Sequence, residues 1–320
     1  MDALQQYGLL GLKCVGGLLA LSFVAFPLGA MLQERKNFRD VGLGLYGHLN
    51  AFCFIQFWMA FSGCCFLVQV PAIIMGKKDV AHVSNTYYEH LIGTWGFKLF
   101  LGRAELRGLQ HLPAAGSKPC VYVFNHQSMI DICVLYFLRQ RFAWVSKKSV
   151  TFLPGVGQIM WLSGHVLLDR GGRESVKQMF RLCKERLNGG TSIFIFPQGT
   201  RERSKTLPFK HGAFSLAVGG GEGVDEYDIV PVSINVCPTA WRMNMFGSGF
   251  IGGGQEKPAA TLTVHPRIVT ANFTKGVDKT DKKQLDEVLG KLNKAAFDAI
   301  YSVLEIKNPV VAPTSSSKKD

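Results

Sequence analysis

The run Asn125-His126-Gln127-Ser128-Met129-Ile130-Asp131 puts an imidazole, a carboxylate, a hydroxyl and two side-chain amides within a few positions of one another. A histidine backed by an acid suits one kind of chemistry. The carboxylate fixes the tautomer and steadies positive charge on the ring, while the imidazole takes a proton from an attacking hydroxyl. On an unbroken helix the two residues would point about 140° apart, so a contact needs a bend between them. Ser128, followed by the acid Asp131, has the pattern of a capping box. A helix starting there leaves His126 in the preceding loop, with Asp131 reaching back from the first turn. The same residues also fit a plain helix cap beside a loop histidine, and this stretch alone does not separate the two readings.

Val121-Tyr122-Val123-Phe124, just before the histidine, is apolar, aromatic and β-branched, the composition of a buried strand. Residues 130–138 that follow read as a helix, so the histidine falls at the carboxyl end of a strand, where ligands bind in open α/β folds. The pattern recurs at Ser192-Ile193-Phe194-Ile195-Phe196, which runs into Pro197-Gln198-Gly199-Thr200-Arg201. Gly199 lets a phosphate approach the backbone closely, and the planar fork of Arg201 matches two phosphate oxygens. Between them, Gly164-His165-Val166-Leu167-Leu168-Asp169-Arg170 is a third strand that ends in an acid and an arginine. Either arginine alone would be read as a surface ion pair. Three strands delivering polar groups to one edge make a site.

The rest of the chain must hold those junctions. Further strands are expected at 120–124, 142–145, 165–168, 192–196, 229–234 and 261–264, and helices at 129–139, 173–187, 212–218 and 281–304. Such alternation predicts an α/β domain over 103–308, a mixed sheet covered by helices. Residues 1–102 differ. The charge-free run 14–32 has the length of a membrane span. The run 41–76, also free of Asp, Glu, Lys and Arg, is too long for one straight span and should bend, tilt or lie partly in the interface, with a buried core helix as the other reading. Residues 91–101, with Trp95 and Lys98, read as a short interfacial or packed helix. An N-terminal hydrophobic helical membrane anchor is therefore expected, and the Pro/Ser/Lys-rich tail 309–320 is expected to be disordered.

The net charge of +13 on so apolar a chain points to anionic lipid surfaces or phosphorylated substrates. No basic stripe interleaved with stacking aromatics suggests nucleic acid. The eight cysteines have no paired C-x-x-C spacing, which argues against a zinc site or a disulfide scaffold. The glycine-rich stretches 219–223 and 247–254 lack the G-x-G-x-x-G order of a nucleotide loop.

Taken together, these residues resemble the glycerolipid acyltransferases, most of all the 1-acylglycerol-3-phosphate (lysophosphatidic acid) acyltransferases. Asn125-His126-Gln127-Ser128 through Asp131 looks like the family's N-H-x-x-x-x-D block, and residues 164–170 resemble its second block. Phe196-Pro197-Gln198-Gly199-Thr200-Arg201 is similar to its F-P-E-G-T-R, and Ile229-Val230-Pro231-Val232-Ser233 to its last. The resemblance implies transfer of an acyl chain from acyl-CoA, as co-substrate and without metal or cofactor, to the sn-2 hydroxyl of lysophosphatidic acid. His126 would be the base and Asp131 its orienting acid. Arg170, Gly199, Thr200, Arg201 and Lys148 would hold the phosphate, and amides at the Ser128 helix start would stabilise the oxyanion. It further implies a protein of the endoplasmic reticulum membrane with its catalytic domain at the cytosolic face. One position departs from the pattern: Gln198 stands where the family has Glu, exchanging a charge for an amide donor. The alternatives are the same chemistry on another lysophospholipid, or a catalytically impaired membrane-binding homologue.

Overall fold

The computed structural model describes residues 21, 24, 25, 28, 32, 44–114, 116–168, 173–201, 207–219, 225–237, 240 and 258–304. Its strands are β1 (Ala104–Arg107), β2 (Val121–Phe124), β3 (Phe142–Lys147), β4 (Val166–Leu168), β5 (Ser192–Ile195), β6 (Ile229–Val236) and β7 (Ala260–Val264). They form one sheet in the order β1-β7-β6-β2-β5-β3-β4, in which β6 and β7 pair antiparallel and all other neighbours pair parallel. The expected mixed α/β sheet is thus present. Within it β6, β2, β5, β3 and β4 share one direction, so their carboxyl ends lie along one edge. β1 was not anticipated, because Ala-Glu-Leu-Arg carries no strand-forming signature; it is held by its pairing with β7 and by Ala104 and Leu106, which pack against the core.

The helices are α1 (Gly44–Ile74), α2 (Lys78–Phe100), α3 (Asp131–Leu135), α4 (Val156–Leu162), α5 (Arg173–Asn188), α6 (Gly212–Val218), α7 (Ala271–Thr274) and α8 (Lys282–Tyr301). Strand side chains alternate between the two faces of the sheet. One face shows Tyr122, Phe124, Phe142, Trp144 and Phe194, packed with Ala51 and Phe54 of α1, Phe97 of α2 and the buried residues of α3. Phe142 and Phe194 stack with ring centroids 3.8 Å apart. The other face shows Val121, Val123, Ala143, Val166 and Ile193 to the apolar residues of α5, α6 and α8. α8 buries Val288, Leu289, Leu292, Ala296 and Ile300, a stripe at helical spacing.

α1 and α2 form a hairpin whose ends meet where Asn50 Nδ2 donates to the Phe100 carbonyl at 3.0 Å. Residues 91–101, expected as a separate short helix, are the last turns of α2. Within α1, Leu49–Ile74 is long and apolar enough to cross a bilayer, with a mean hydropathy of 1.9, and Leu67 and Val68 are each 66 % exposed. The hairpin is nonetheless part of the protein core. Gly155, before α4, lies so close to α1 that an added Cβ would stand 2.3 Å from the Met59 carbonyl. Glu89 of α2 is buried against the start of β4. It accepts from Ser163 Oγ at 2.8 Å and lies 3.0 Å from His165 Nε2. The Trp144 amide donates to His165 Nδ1, which puts the ring proton on Nε2, facing the carboxylate.

Three segments read from the sequence fall wholly or largely outside the described residues: the first apolar run 14–32, the glycine-rich stretches beyond Gly219, and the tail 309–320. The helix expected over 129–139 is shorter. It begins at Asp131, tightens to a 3-10 turn over Tyr136–Leu138, and stops at Arg139, whose φ of 51° no helix continues.

Candidate active site

The site is built where β2 stops. Beyond Phe124 the neighbouring strand β6 runs on, and side chains replace the missing strand as its partner. Asn125 Nδ2 donates to the Ile234 carbonyl at 2.8 Å, and its Oδ1 accepts from the Ile234 amide at 2.7 Å. Gln127 Oε1 accepts from the Val236 amide at 2.9 Å. The residues on either side of His126 are thereby sewn to the sheet, and His126 is aimed by rigid neighbours in a segment that would otherwise be a loop.

His126 and Asp131 meet. Nδ1 lies 2.8 Å from Asp131 Oδ2. Because a carboxylate only accepts, Nδ1 carries the ring proton and Nε2 keeps its lone pair. Asp131 is fully buried. Its Oδ2 also accepts from the amides of Gln127 at 2.6 Å and Ser128 at 2.8 Å, and its Oδ1 accepts from Ser128 Oγ at 2.9 Å. Four donors around one carboxylate offset the cost of burying its charge. The bend that the spacing demanded is therefore supplied by the acid itself. The helix starts at Asp131 and not at Ser128. One expectation is overturned here: the Gln127 and Ser128 amides are committed to Asp131 and do not face an oxyanion.

The imidazole lies flat on Phe196, with centroids 4.0 Å apart and planes 19° from parallel. Phe196 in turn stacks on Trp144 at 5.8 Å, so the aromatic face of the sheet ends on the histidine ring. Phe196 leads into the second polar segment, at the carboxyl end of β5 next to β2. Gly199 takes a left-handed φ of 73°, and a Cβ there would stand 3.0 Å from Lys210 Nζ. Gly199→Ala is expected to lower stability by about 1–2 kcal/mol through backbone strain, read as a lower midpoint in urea. Thr200 and Arg201 are exposed beyond it. Lys148 is exposed just after β3, on the same edge, its carbonyl accepting from Thr151 Oγ1. β4 also ends on this edge, and Arg170, two residues past it, lies outside the described residues.

Gln198 does not face solvent. It is 3 % exposed, and its Oε1 accepts from the His126 amide at 2.9 Å. Its Nε2 donates to Tyr301 Oη at 2.8 Å and to the Leu207 carbonyl at 3.3 Å. The donor that a glutamate would lack is in use. Sequence reasoning missed Lys210, Tyr301 and the roles of Asn125 and Gln127. For Tyr301 no local signal existed, since its partner is 103 positions away.

The acyltransferase family model matches residues 103–235, which span β1 to β6. A 1-acyl-sn-glycerol-3-phosphate acyltransferase of Haemophilus influenzae is 33 % identical over 194 residues, covering 58 % of this chain and 76 % of that protein. The human protein named 1-acyl-sn-glycerol-3-phosphate acyltransferase beta is 33 % identical over 183 residues, covering 54 % of this chain and 61 % of that one. A chloroplastic relative from Brassica napus is 37 % identical over 133 residues, and there the match spans only 37 % of the relative's length. Among solved structures, the 1-acyl-sn-glycerophosphate acyltransferase of Thermotoga maritima superposes with a TM-score of 0.53 at 18 % identity, over 79 % of this chain and 97 % of that one, a likeness of fold.

Proposed function

This chain belongs to the 1-acyl-sn-glycerol-3-phosphate acyltransferase family, and from that premise we propose that it transfers an acyl chain from acyl-CoA to the sn-2 hydroxyl of lysophosphatidic acid, giving phosphatidic acid and CoA. The observation that carries the proposal is the 2.8 Å bond from His126 Nδ1 to Asp131, which leaves the Nε2 lone pair available at the carboxyl edge of the sheet. In this reading Nε2 takes the hydroxyl proton as the oxygen attacks the thioester carbonyl. A C–O bond forms, the C–S bond breaks, and the proton passes from Nε2 to the departing sulfur. Asp131 balances the positive charge that the ring carries between the two transfers. The thioester is already activated, so acyl-CoA enters as co-substrate and the reading assigns no cofactor.

The phosphate of the acceptor is assigned to Gly199, Thr200 and Arg201, with Lys148 and Arg170 from the neighbouring strand ends. α1 supports a membrane location, proposed as the endoplasmic reticulum with the catalytic domain at the cytosolic face. The test is CoA release, followed with a thiol reagent, from full-length protein given acyl-CoA and a panel of lysophospholipids. Lysophosphatidic acid is expected to be the fastest acceptor. No release with any acceptor, or faster release with a neutral or zwitterionic one, would overturn the assignment.

Gln198 bears on the same question. A glutamate there still accepts from the His126 amide and can accept from Tyr301, but it sets a buried carboxylate oxygen against the Leu207 carbonyl. Gln198→Glu is expected to keep acyl transfer within about threefold and to cost about 1–3 kcal/mol of stability. The pair of measurements is kcat and a urea titration. A gain of about tenfold or more in kcat would mean that the amide impairs this protein.

A further inference from the structure

The family match ends at residue 235, yet α8, well beyond it, is bonded to both feet of the segment that carries Arg201. At the first foot, Tyr301 Oη accepts from Gln198 Nε2 at 2.8 Å. At the second, Asn293 Nδ2 donates to the Phe209 carbonyl at 2.9 Å, with both residues buried. The feet are joined to each other, because the Lys210 amide donates to the Pro197 carbonyl at 3.0 Å. Tyr301 is held in turn by its ring, whose centroid lies 4.5 Å from that of Phe297 and 6.0 Å from that of Phe209. Burial pushes its phenol up to about 12, so it stays a neutral hydroxyl throughout the working range of pH.

The orientation of the Gln198 amide is not arbitrary. The Leu207 carbonyl and the His126 N–H can be served together only with Nε2 toward the first and Oε1 toward the second. One side chain therefore passes the position of α8 directly to the backbone of His126. We propose that Tyr301 is a positioning residue for His126, acting through the Gln198 amide. The proposal rests on the reading of His126 as the base, and it gives the C-terminal helix a part in aligning the site.

Tyr301→Phe keeps the ring contacts and removes the hydroxyl. In the full-length protein it is expected to lower kcat about three- to tenfold, the worth of one hydrogen bond. KM for both substrates should stay within about twofold, since no binding group is touched. Backbone hydrogen exchange in a peptide containing His126 should speed up by about the same factor, with the sheet unchanged. Ser302→Ala is the control. It removes the hydroxyl of the residue that follows α8, which donates back to the Ala299 carbonyl, and should change none of these quantities. A Tyr301→Phe protein with parental kcat, or with unaltered exchange around His126, overturns the proposal. Exchange does not depend on chemistry, so it still decides the matter should His126→Ala prove fully active and the base assignment fail.

Discussion

Replacing His126 by alanine is expected to cut kcat for acyl transfer by about a thousandfold, within the range of about 10²–10⁴ for a positioned general base. A glycerol hydroxyl is a poor nucleophile near neutral pH, and His126 is the imidazole that a buried carboxylate holds at the carboxyl end of β2. The variant should remain folded. The ring is 15 % exposed, and its loss leaves Asp131 with the two amides and the Ser128 hydroxyl as donors. KM for lysophosphatidic acid should move little, because the groups assigned to the phosphate are untouched. Single-turnover release of CoA would check this. If His126→Ala retained more than about a tenth of the parental rate, the imidazole would not be the base.

Asp131→Asn has the second largest expected effect, and it separates two roles that the structure superimposes. The carboxylate organises the turn, accepting from two backbone amides and a hydroxyl, and it also pairs with the imidazole. An asparagine can keep the first role. Its carbonyl oxygen takes the place of Oδ2, facing three donors, and its NH2 faces Ser128 Oγ, which can accept. The turn should survive at a cost of about 1–2 kcal/mol. What is lost is the negative charge beside the imidazolium, and kcat is expected to fall by about 10²–10⁴. Asp131→Ala would instead strand three N–H groups and cost about 3 kcal/mol or more. Thermal melts beside kinetics distinguish the cases. An Asn variant with parental kcat would make Asp131 a cap and nothing further.

Much of the site was legible in the sequence because its parts are local. Val121–Phe124 and Ser192–Ile195 are buried strands by composition, and each hands its polar residues to the same edge once the strands are known to be parallel. The contact between His126 and Asp131 needed a bend, and the residues to make one were visible. Its mechanism was not. A helix start at Ser128 follows from local capping preference, whereas the actual start is set by a carboxylate that gathers the His126 ring, the Gln127 and Ser128 amides and the Ser128 hydroxyl. The same fact removed the Ser128 amide from the list of oxyanion donors. Gln198 read as a loss of charge because sequence shows a side chain but not its partners, and two of those partners, His126 and Tyr301, are brought to it by the sheet and by α8. α4 escaped notice for a related reason. Val-Gly-Gln-Ile-Met-Trp-Leu is short and holds a glycine, and it is helical because it is pressed against α1.

The buried Glu89 has a mechanical consequence. Peeling α2 off the sheet would break the bonds of that carboxylate to Ser163 and His165 and would uncover the apolar side chains packed beneath the hairpin. The apolar hairpin is thus not a tether from which the catalytic body swings but a bracket bolted to it. With α1 seated in a bilayer, His126 would stand at one fixed height and tilt above the lipid. An acceptor would then have to rise to that height by its own headgroup, so its reach would select substrates as surely as any side chain that touches it.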